Sequence, residues 1–431
     1  MISPHLHLDY KKDSKIEWFL FVLFLLLPFH TFLTSYFLPT VTGIDKMVLA
    51  PWREVVVVLL YVYLLVHIIK VKLSFKVSLW NLSIFAFIGL GLGMVLGAKF
   101  NYISIYGFRN YCFPFAFLFA FYLMPLKNPH LVIKGVLLGA FLATLFGFIQ
   151  LMIGAKFLLQ FGYGENHFLG TAFYIVGGEF QRLVGTFGSP NEFGLFTSMA
   201  LMLGIYYYGV TKNKWLLLFI AVEMAAVVYT FSRSSWLATF FATIYLIVTM
   251  NLIKFKKIEL KNIPKKNYFF IVPGLAAVLF AVYILVLKIY NYIHITITGQ
   301  DPSSLGHFFS LVEGVMKVIE NPAGFGLGYN GPKAEVVGLD VVIIESSYIL
   351  LAFEFGVIGL LLFLLVMYFT IKKFRENLST RPVNMAITIA FLTGCFFLPQ
   401  IQSLDVTYFY WSMVGLLLNK NFVIHNRELN G

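Results

Sequence analysis

An all-α, polytopic integral membrane protein is the fold class that three features of the sequence predict. The residues are 59% hydrophobic and only 12% charged, against about 25% charged in an ordinary soluble protein. Apolar runs recur from about residue 18 to residue 418. Lysines gather in alternate connections between those runs, and such asymmetry orients a chain in the bilayer. The 431 residues therefore read as a single integral membrane domain, 1–431.

A helix needs about 20 apolar residues to cross the roughly 30 Å hydrocarbon core. Runs of that kind lie near 18–38, 52–69, 78–98, 104–125, 132–153, 191–209, 214–231, 235–252, 268–291, 346–370, 385–402 and 404–419, which makes about twelve transmembrane helices. The last pair is separated only by the short break at Pro399, Gln400, Gln402 and Asp405. The first run follows a polar stretch with Lys11, Lys12 and Lys15, and it is too long for a secretory signal, so it reads as a retained span.

With both termini placed in the cytoplasm, 22 of the 32 Lys and Arg residues fall on the inner side, including the group Lys254, Lys256, Lys257, Lys261, Lys265 and Lys266. The net charge of +12 is thereby explained as topology and requires no nucleic acid. Four of the seven arginines, Arg53, Arg109, Arg182 and Arg233, instead fall on the outer side or within spans.

Two outer segments exceed a turn: a loop at 154–190, rich in Gly, Tyr and Phe, and a large loop at 293–344 between spans nine and ten. In the second, Asp301-Pro302-Ser303-Ser304 offers an N-cap and a proline at the first helical position. Leu305, Phe308, Phe309, Val312, Val315, Met316 and Ile319 then recur at helical spacing, with His307, Ser310, Gly314 and Lys317 opposite. The pattern predicts an amphipathic helix at about 303–320 lying on the outer membrane surface and ending at Asn321-Pro322.

Cys112 and Cys395 both lie inside apolar runs, which leaves no disulfide framework and no thiolate metal site. Gly326-Leu327-Gly328-Tyr329-Asn330-Gly331 fits the spacing of a dinucleotide loop but follows no strand, so a glycine-rich turn is the better reading. Gly89, Gly91, Gly93 and Gly97 in the third run predict close helix packing.

Charge near the membrane costs several kcal/mol unless it meets a partner or a cavity. Arg182, at the outer mouth of the sixth span, and Arg233, in the turn between the seventh and eighth, become neighbours if the spans pack sequentially. Paired guanidiniums suit a diphosphate, which they grip through forked N–H donors. Arg109 is a third candidate, while Arg53 abuts Glu54 and reads as its ion-pair partner. Glu345, at the start of the tenth span, is a candidate general base, with His307 as the other and Glu354 nine residues beyond Glu345. Glu223 is either a proton-coupling carboxyl or a packed one.

At these residues the sequence resembles the O-antigen ligase/polymerase family of bacterial surface-polysaccharide assembly. The resemblance rests on Arg182-Leu183-Val184-Gly185-Thr186-Phe187 with Pro190-Asn191, on Phe231-Ser232-Arg233-Ser234, and on the loop from Ser303 through His307, Glu320-Asn321-Pro322 and Gly324–Gly328 to Glu345-Ser346-Ser347-Tyr348 and Glu354–Gly359. It covers roughly 180–360. It implies a membrane glycosyltransferase on the outer face of the cytoplasmic membrane, using a polyprenyl-diphosphate-linked oligosaccharide without metal or other cofactor, in the company of a flippase and a chain-length regulator. The diphosphate site carries over to Arg182 and Arg233. Ligase members resemble one another in a histidine before the tenth span, where this chain has Glu345-Ser346. That departure favours an inverting, metal-independent polymerase acting on a lipid-linked repeat unit. The alternatives are ligase-type transfer to a lipid, protein or wall acceptor, and a lipid-linked oligosaccharide transporter.

Overall fold

The computed structural model describes residues 15–71, 78–161, 174–175, 180–250, 302–330 and 344–422. These residues are helical apart from short connections and one antiparallel pair, β1 (Tyr174–Ile175) with β2 (Phe180–Gln181), which qualifies the all-α expectation inside the 154–190 loop. Five helices are long and apolar enough to cross a membrane: Lys46–His67, Leu79–Gly97, Pro129–Ile153, Pro190–Thr211 and Ser347–Glu376. Lys15–Phe29 and Phe32–Thr42, bent by 65°, make a sixth if taken as one span. The protein is thus a helical membrane protein.

Each predicted run within the described residues coincides with helix. They are α1 (Lys15–Leu26), α2 (Leu38–Thr42) and α3 (Lys46–Leu49), then α4 (Trp52–Val71), α5 (Leu79–Gly97), α6 (Tyr102–Cys112) and α7 (Pro114–Leu123). There follow α8 (Pro129–Ile153), α9 (Pro190–Thr211), α10 (Trp215–Tyr229), α11 (Arg233–Met250), α12 (Pro302–Glu320), α13 (Ser347–Lys373), α14 (Arg381–Phe397) and α15 (Leu404–Leu418). The run at 268–291 lies outside the described residues. Several of the described runs depart from a single straight helix, two of them at prolines. The first bends near Pro28, and the fourth divides at Pro114 into α6 and α7, because proline has no N–H to continue a helical ladder.

Burial identifies the centre. Within α9, 83% of the span window is buried, and α8, α10, α11, α14 and α15 pack around it. By contrast α4 turns Val55, Val58, Leu59 and Val62 outward, an apolar surface of the kind that suits lipid. Close packing uses small residues, as where Gly135 and Gly139 of α8 meet the backbone of Phe21 and Phe24 in α1. The expected glycine seam of α5 is narrower than predicted: Gly91 packs against Cys112 and Phe108, whereas Gly89, Gly93 and Gly97 have nothing within 4 Å.

The connections sort into two ends. At one, Glu17 accepts from the backbone N–H groups of Lys127 and Asn128, Asn419 donates to the carbonyls of Phe121 and Met124, and Asn377 and Thr380 donate to Leu417 O. The turns at this end carry Lys127, Lys372, Lys373 and Lys420, which the topology expected from the sequence counts among the inner cations. At the other end meet the bend of the first span, the Arg182–Ser189 segment, the α10–α11 turn, the start of α13 and the α14–α15 break.

Candidate active site

The site end is assembled around broken helices, whose backbone groups need partners that a continuous span would supply itself. At the first break, Phe32 N–H donates to Thr186 O at 3.1 Å and the Thr186 hydroxyl donates to Pro28 O. Gln150, buried in α8, donates to Arg182 O at 3.2 Å and accepts from Val184 and Gly185 N–H. The turn Arg182–Thr186 is therefore pinned from two sides. Its next contact places Arg182 beside the α10–α11 turn: Leu183 N–H donates to Tyr229 O at 2.9 Å, and Arg182 Nε donates to Thr230 O at 2.8 Å.

Arg233, half-buried, opens α11 three residues beyond Thr230. The neighbourhood expected of the two arginine turns is thus present. Between them Phe231, 3% exposed, holds φ at +49°, a left-handed conformation that is costly for a bulky residue and that clusters at functional sites. Arg182 Nη2 also donates to Asn191 Oδ1 at 3.0 Å. Asn191 belongs to the first turn of α9, whose N-cap Ser189 accepts from Glu192 N–H.

The second break is in α13. Gly356 has φ +74° and ψ 174° inside the helix, so carbonyls before it lose their helical donors. The loop after α12 fills the gap: Phe325 N–H donates to Phe353 O at 2.7 Å, Gly326 N–H to Glu354 O at 3.2 Å, and Val357 N–H to Pro322 O at 2.9 Å. Glu354, fully buried, accepts from Gly328 N–H at 2.8 Å and Asn330 N–H at 3.1 Å. Glu354 is an anchor for this loop. Gly328, at φ +76°, lies against Gly107 and Ile103 O of α6, where a Cβ has no room. The G-x-G spacing thus serves a close backbone approach, and its last glycine, Gly331, lies outside the described residues.

The loop returns α12 onto the start of α13. The predicted faces of α12 are observed: Phe308, Phe309, Val312, Val315, Met316 and Ile319 are exposed, while Ser310 and Gly314 turn toward Glu345, Ile344 and Ile349. Ser310 Oγ accepts from Glu345 N–H at 3.0 Å, and His307 Nδ1 pairs with the Glu345 carboxylate. The two candidates offered separately by the sequence form one pair, with side chains 31% and 25% exposed.

Glu345 lines a cleft of about 360 Å³ whose other walls include Tyr106 and Asn110 of α6, Ser189, Asn191 and Glu192 at the α9 N-terminus, Gly328 and Asn330 of the loop, and Leu398–Gln400, Gln402 and Ser403 of the α14–α15 break. The last group reads in the sequence only as an uncertain gap between spans; its polar residues are the signal that marks it as a wall. Ser347 fixes the break, donating to Leu398 O at 2.7 Å and accepting from Ile401 N–H at 3.1 Å. Gln402 Nε2 lies within 3.2 Å of Tyr111 OH, Asn330 O and Glu354 Oε1.

Arg53 and Arg109 are engaged behind this cleft. Arg53 pairs with Asp405, not with the adjacent Glu54, and its guanidinium lies 4.9 Å from the Tyr408 ring centroid. Asp405 also accepts from Thr31 Oγ1. Glu54 receives Arg109 Nε at 2.8 Å and Tyr408 OH at 2.9 Å. The correction has a simple cause: successive helical residues do not share a face, so Arg53 and Glu54 turn to different partners. Arg109 is thus in an ion pair while its neighbours Tyr106 and Asn110 reach the cleft. Glu223 lies apart, fully buried, accepting from Thr144 at 2.9 Å.

No family model matches the chain, and no curated protein matches it. The chemistry of the site is therefore argued from its geometry: an acid–histidine pair at a polar cleft, and a guanidinium fixed to the asparagine of the facing wall. Among the described residues no group of three or more His, Cys, Asp or Glu is placed to hold a metal.

Proposed function

We propose that this protein is a membrane glycosyltransferase that moves a glycan from a polyprenyl-diphosphate donor onto a lipid-linked repeat unit, in the manner of the O-antigen polymerases it resembles. The topology that goes with this reading has about twelve spans, cytoplasmic termini, and the cleft on the outer face of a bacterial cytoplasmic membrane. Separation of the lysine-rich turns from the site end supports that orientation.

The observation that carries the reading is the cleft shared by Glu345 and Asn191, with His307 on the first and Arg182 on the second. In the transfer, an acceptor hydroxyl attacks the anomeric carbon as the bond to the diphosphate oxygen breaks. Its proton passes to Glu345, which His307 orients. The diphosphate leaves as an anion neutralised by Arg182 and Arg233 near the N-terminus of α9, whose dipole favours negative charge. One displacement of this kind inverts the anomeric configuration. The apolar face of α12 suits the membrane surface from which a lipid-linked substrate arrives.

Replacement of Arg182 or Arg233 by lysine keeps the charge but removes the planar fork. Each variant is expected to lose most polymer formation when purified protein is given preassembled donor in detergent; near-normal polymer in both overturns the diphosphate assignment. In cells lacking the protein, single lipid-linked repeats are expected. Long unattached chains would instead indicate a ligase, and failure of the purified protein to transfer at all would leave a transporter.

A further inference from the structure

We infer that the cleft is the acceptor subsite for an uncharged sugar ring, and that Asn110 and Gln400 determine which ring it accepts; this rests on the transferase reading above. The cleft falls in the range of about 300–1,000 Å³ usual for small-ligand sites. Its lining is unusual for a membrane protein because amides dominate it, with Asn110, Asn191, Asn330, Gln400 and Gln402 drawn from four separate segments. Amides present donor and acceptor on one plane, which matches the paired hydroxyls of a pyranose. Tyr106 adds an aromatic surface to the same wall.

Two of these amides are incomplete. Asn110 and Gln400 are each 4% exposed, yet Asn110 Oδ1 and Gln400 Oε1 have no hydrogen-bond donor. Buried acceptors without donors are costly and uncommon. Of the other amides, Asn191 accepts from Arg182 and Gln402 Nε2 lies against Tyr111 OH, Asn330 O and Glu354 Oε1, while Asn330 is held through its backbone N–H and C=O. A ligand hydroxyl in the cleft would supply the missing donor once either amide turns toward it.

The charge of the lining selects further. Glu192 and Glu345 contribute carboxyl groups, and among the described lining residues there is no Lys or Arg. A uronic acid or phosphorylated sugar would bring a further acid against these two carboxyl groups. A neutral or acetamido pyranose meets no such penalty. Glu345 on the same lining then faces the ring hydroxyl that attacks.

The test uses the full-length protein purified in detergent and saturation-transfer NMR with three probes: methyl glucopyranoside, methyl N-acetylglucosaminide and methyl glucuronide. Signal from at least one of the neutral probes and little from the glucuronide is expected. Asn110→Ala and Gln400→Ala, checked for an unchanged melting temperature, should each weaken the neutral signal roughly tenfold. Glucuronide binding equal to or above both neutral probes overturns the inference, as does neutral binding unchanged in both variants, or no binding of any probe. If the variants do not fold, the ranking of probes on the unaltered protein decides alone. Polymer formation is measured separately, so that binding without transfer defeats the transferase reading, and transfer with glucuronide preference defeats only the subsite.

Discussion

Two groups of ionisable side chains occupy the same end of this bundle and differ in what surrounds them. Behind the cleft, Arg53–Asp405 and Arg109–Glu54 are tied into Thr31 and Tyr408; the Arg53 and Asp405 side chains are only 3% and 10% exposed, and those of Arg109 and Glu54 are 31% and 15% exposed. At the cleft, the His307 and Glu345 side chains are 31% and 25% exposed, and the same lining holds two amide oxygens, Asn110 Oδ1 and Gln400 Oε1, that have no donor. The closed group joins the bent first span, α4, α6 and α15 and is a structural device. The open group leaves hydrogen-bonding capacity for something else. In a chain with few charges, burial of the pair, clearest at Arg53–Asp405, separates support from chemistry better than the presence of charge.

The sharpest break of this comparison is removal of one member of the closed group. Asp405→Ala leaves Arg53 buried without its carboxylate, a change that costs about 3–5 kcal/mol in buried pairs. A large drop in melting temperature of the purified protein is expected, with substantial recovery when Arg53→Met is added. A small drop, or no recovery, would show that the pair is better solvated than its burial indicates.

Next in size is the loop clasp that sets the cleft's floor. Gly356→Ala forces a side chain into a positive-φ position facing the backbone of Pro322 and Ala323. Strain of this kind costs about 1–3 kcal/mol, and relief requires the 322–328 loop to leave the broken helix. Faster proteolysis within that loop, alongside a lowered melting temperature, is the expected result. An unchanged loop with an intact Glu354 anchor would argue against the clasp.

Much of this architecture is legible in the sequence, and the illegible part has a common cause. Apolar runs locate the helices because lipid demands length and hydrophobicity of any span. Arg182 and Arg233 stand out because a guanidinium near lipid needs a reason, and α12 stands out by its periodicity. What one sequence does not display is which polar groups face each other. Arg53 beside Glu54 invites a pairing that the helix forbids, and His307 and Glu345, thirty-eight positions apart, meet only because the loop folds back on Gly356. Asn110, Asn330 and Gln400 carry no charge and sit in runs that read as helix or turn, so their convergence is invisible before the fold is known.

The open pair offers the inverse of Asp405. His307→Ala removes a partner from a carboxylate that is already partly solvated, and exposed pairs contribute about 1 kcal/mol or less. The melting temperature should scarcely move, while the rate of transfer from a polyprenyl-diphosphate donor falls about 10²–10⁴-fold, as for loss of acid–base assistance. A rate near that of the unaltered protein would remove His307 from the site; a collapse of stability would place it with the closed group.

Lys317 and Glu320 give the smallest effect and calibrate the rest. They form a 3.0 Å pair one turn apart on α12, with side chains 36% and 56% exposed. Such helical pairs are worth about 0.2–0.5 kcal/mol and weaken in salt. Glu320→Gln should therefore leave both melting temperature and transfer within experimental scatter. A loss exceeding about 1 kcal/mol would mean that Glu320 secures the junction with Asn321, where the chain turns toward the clasp, and the division between closed and open charge would then extend to the end of α12.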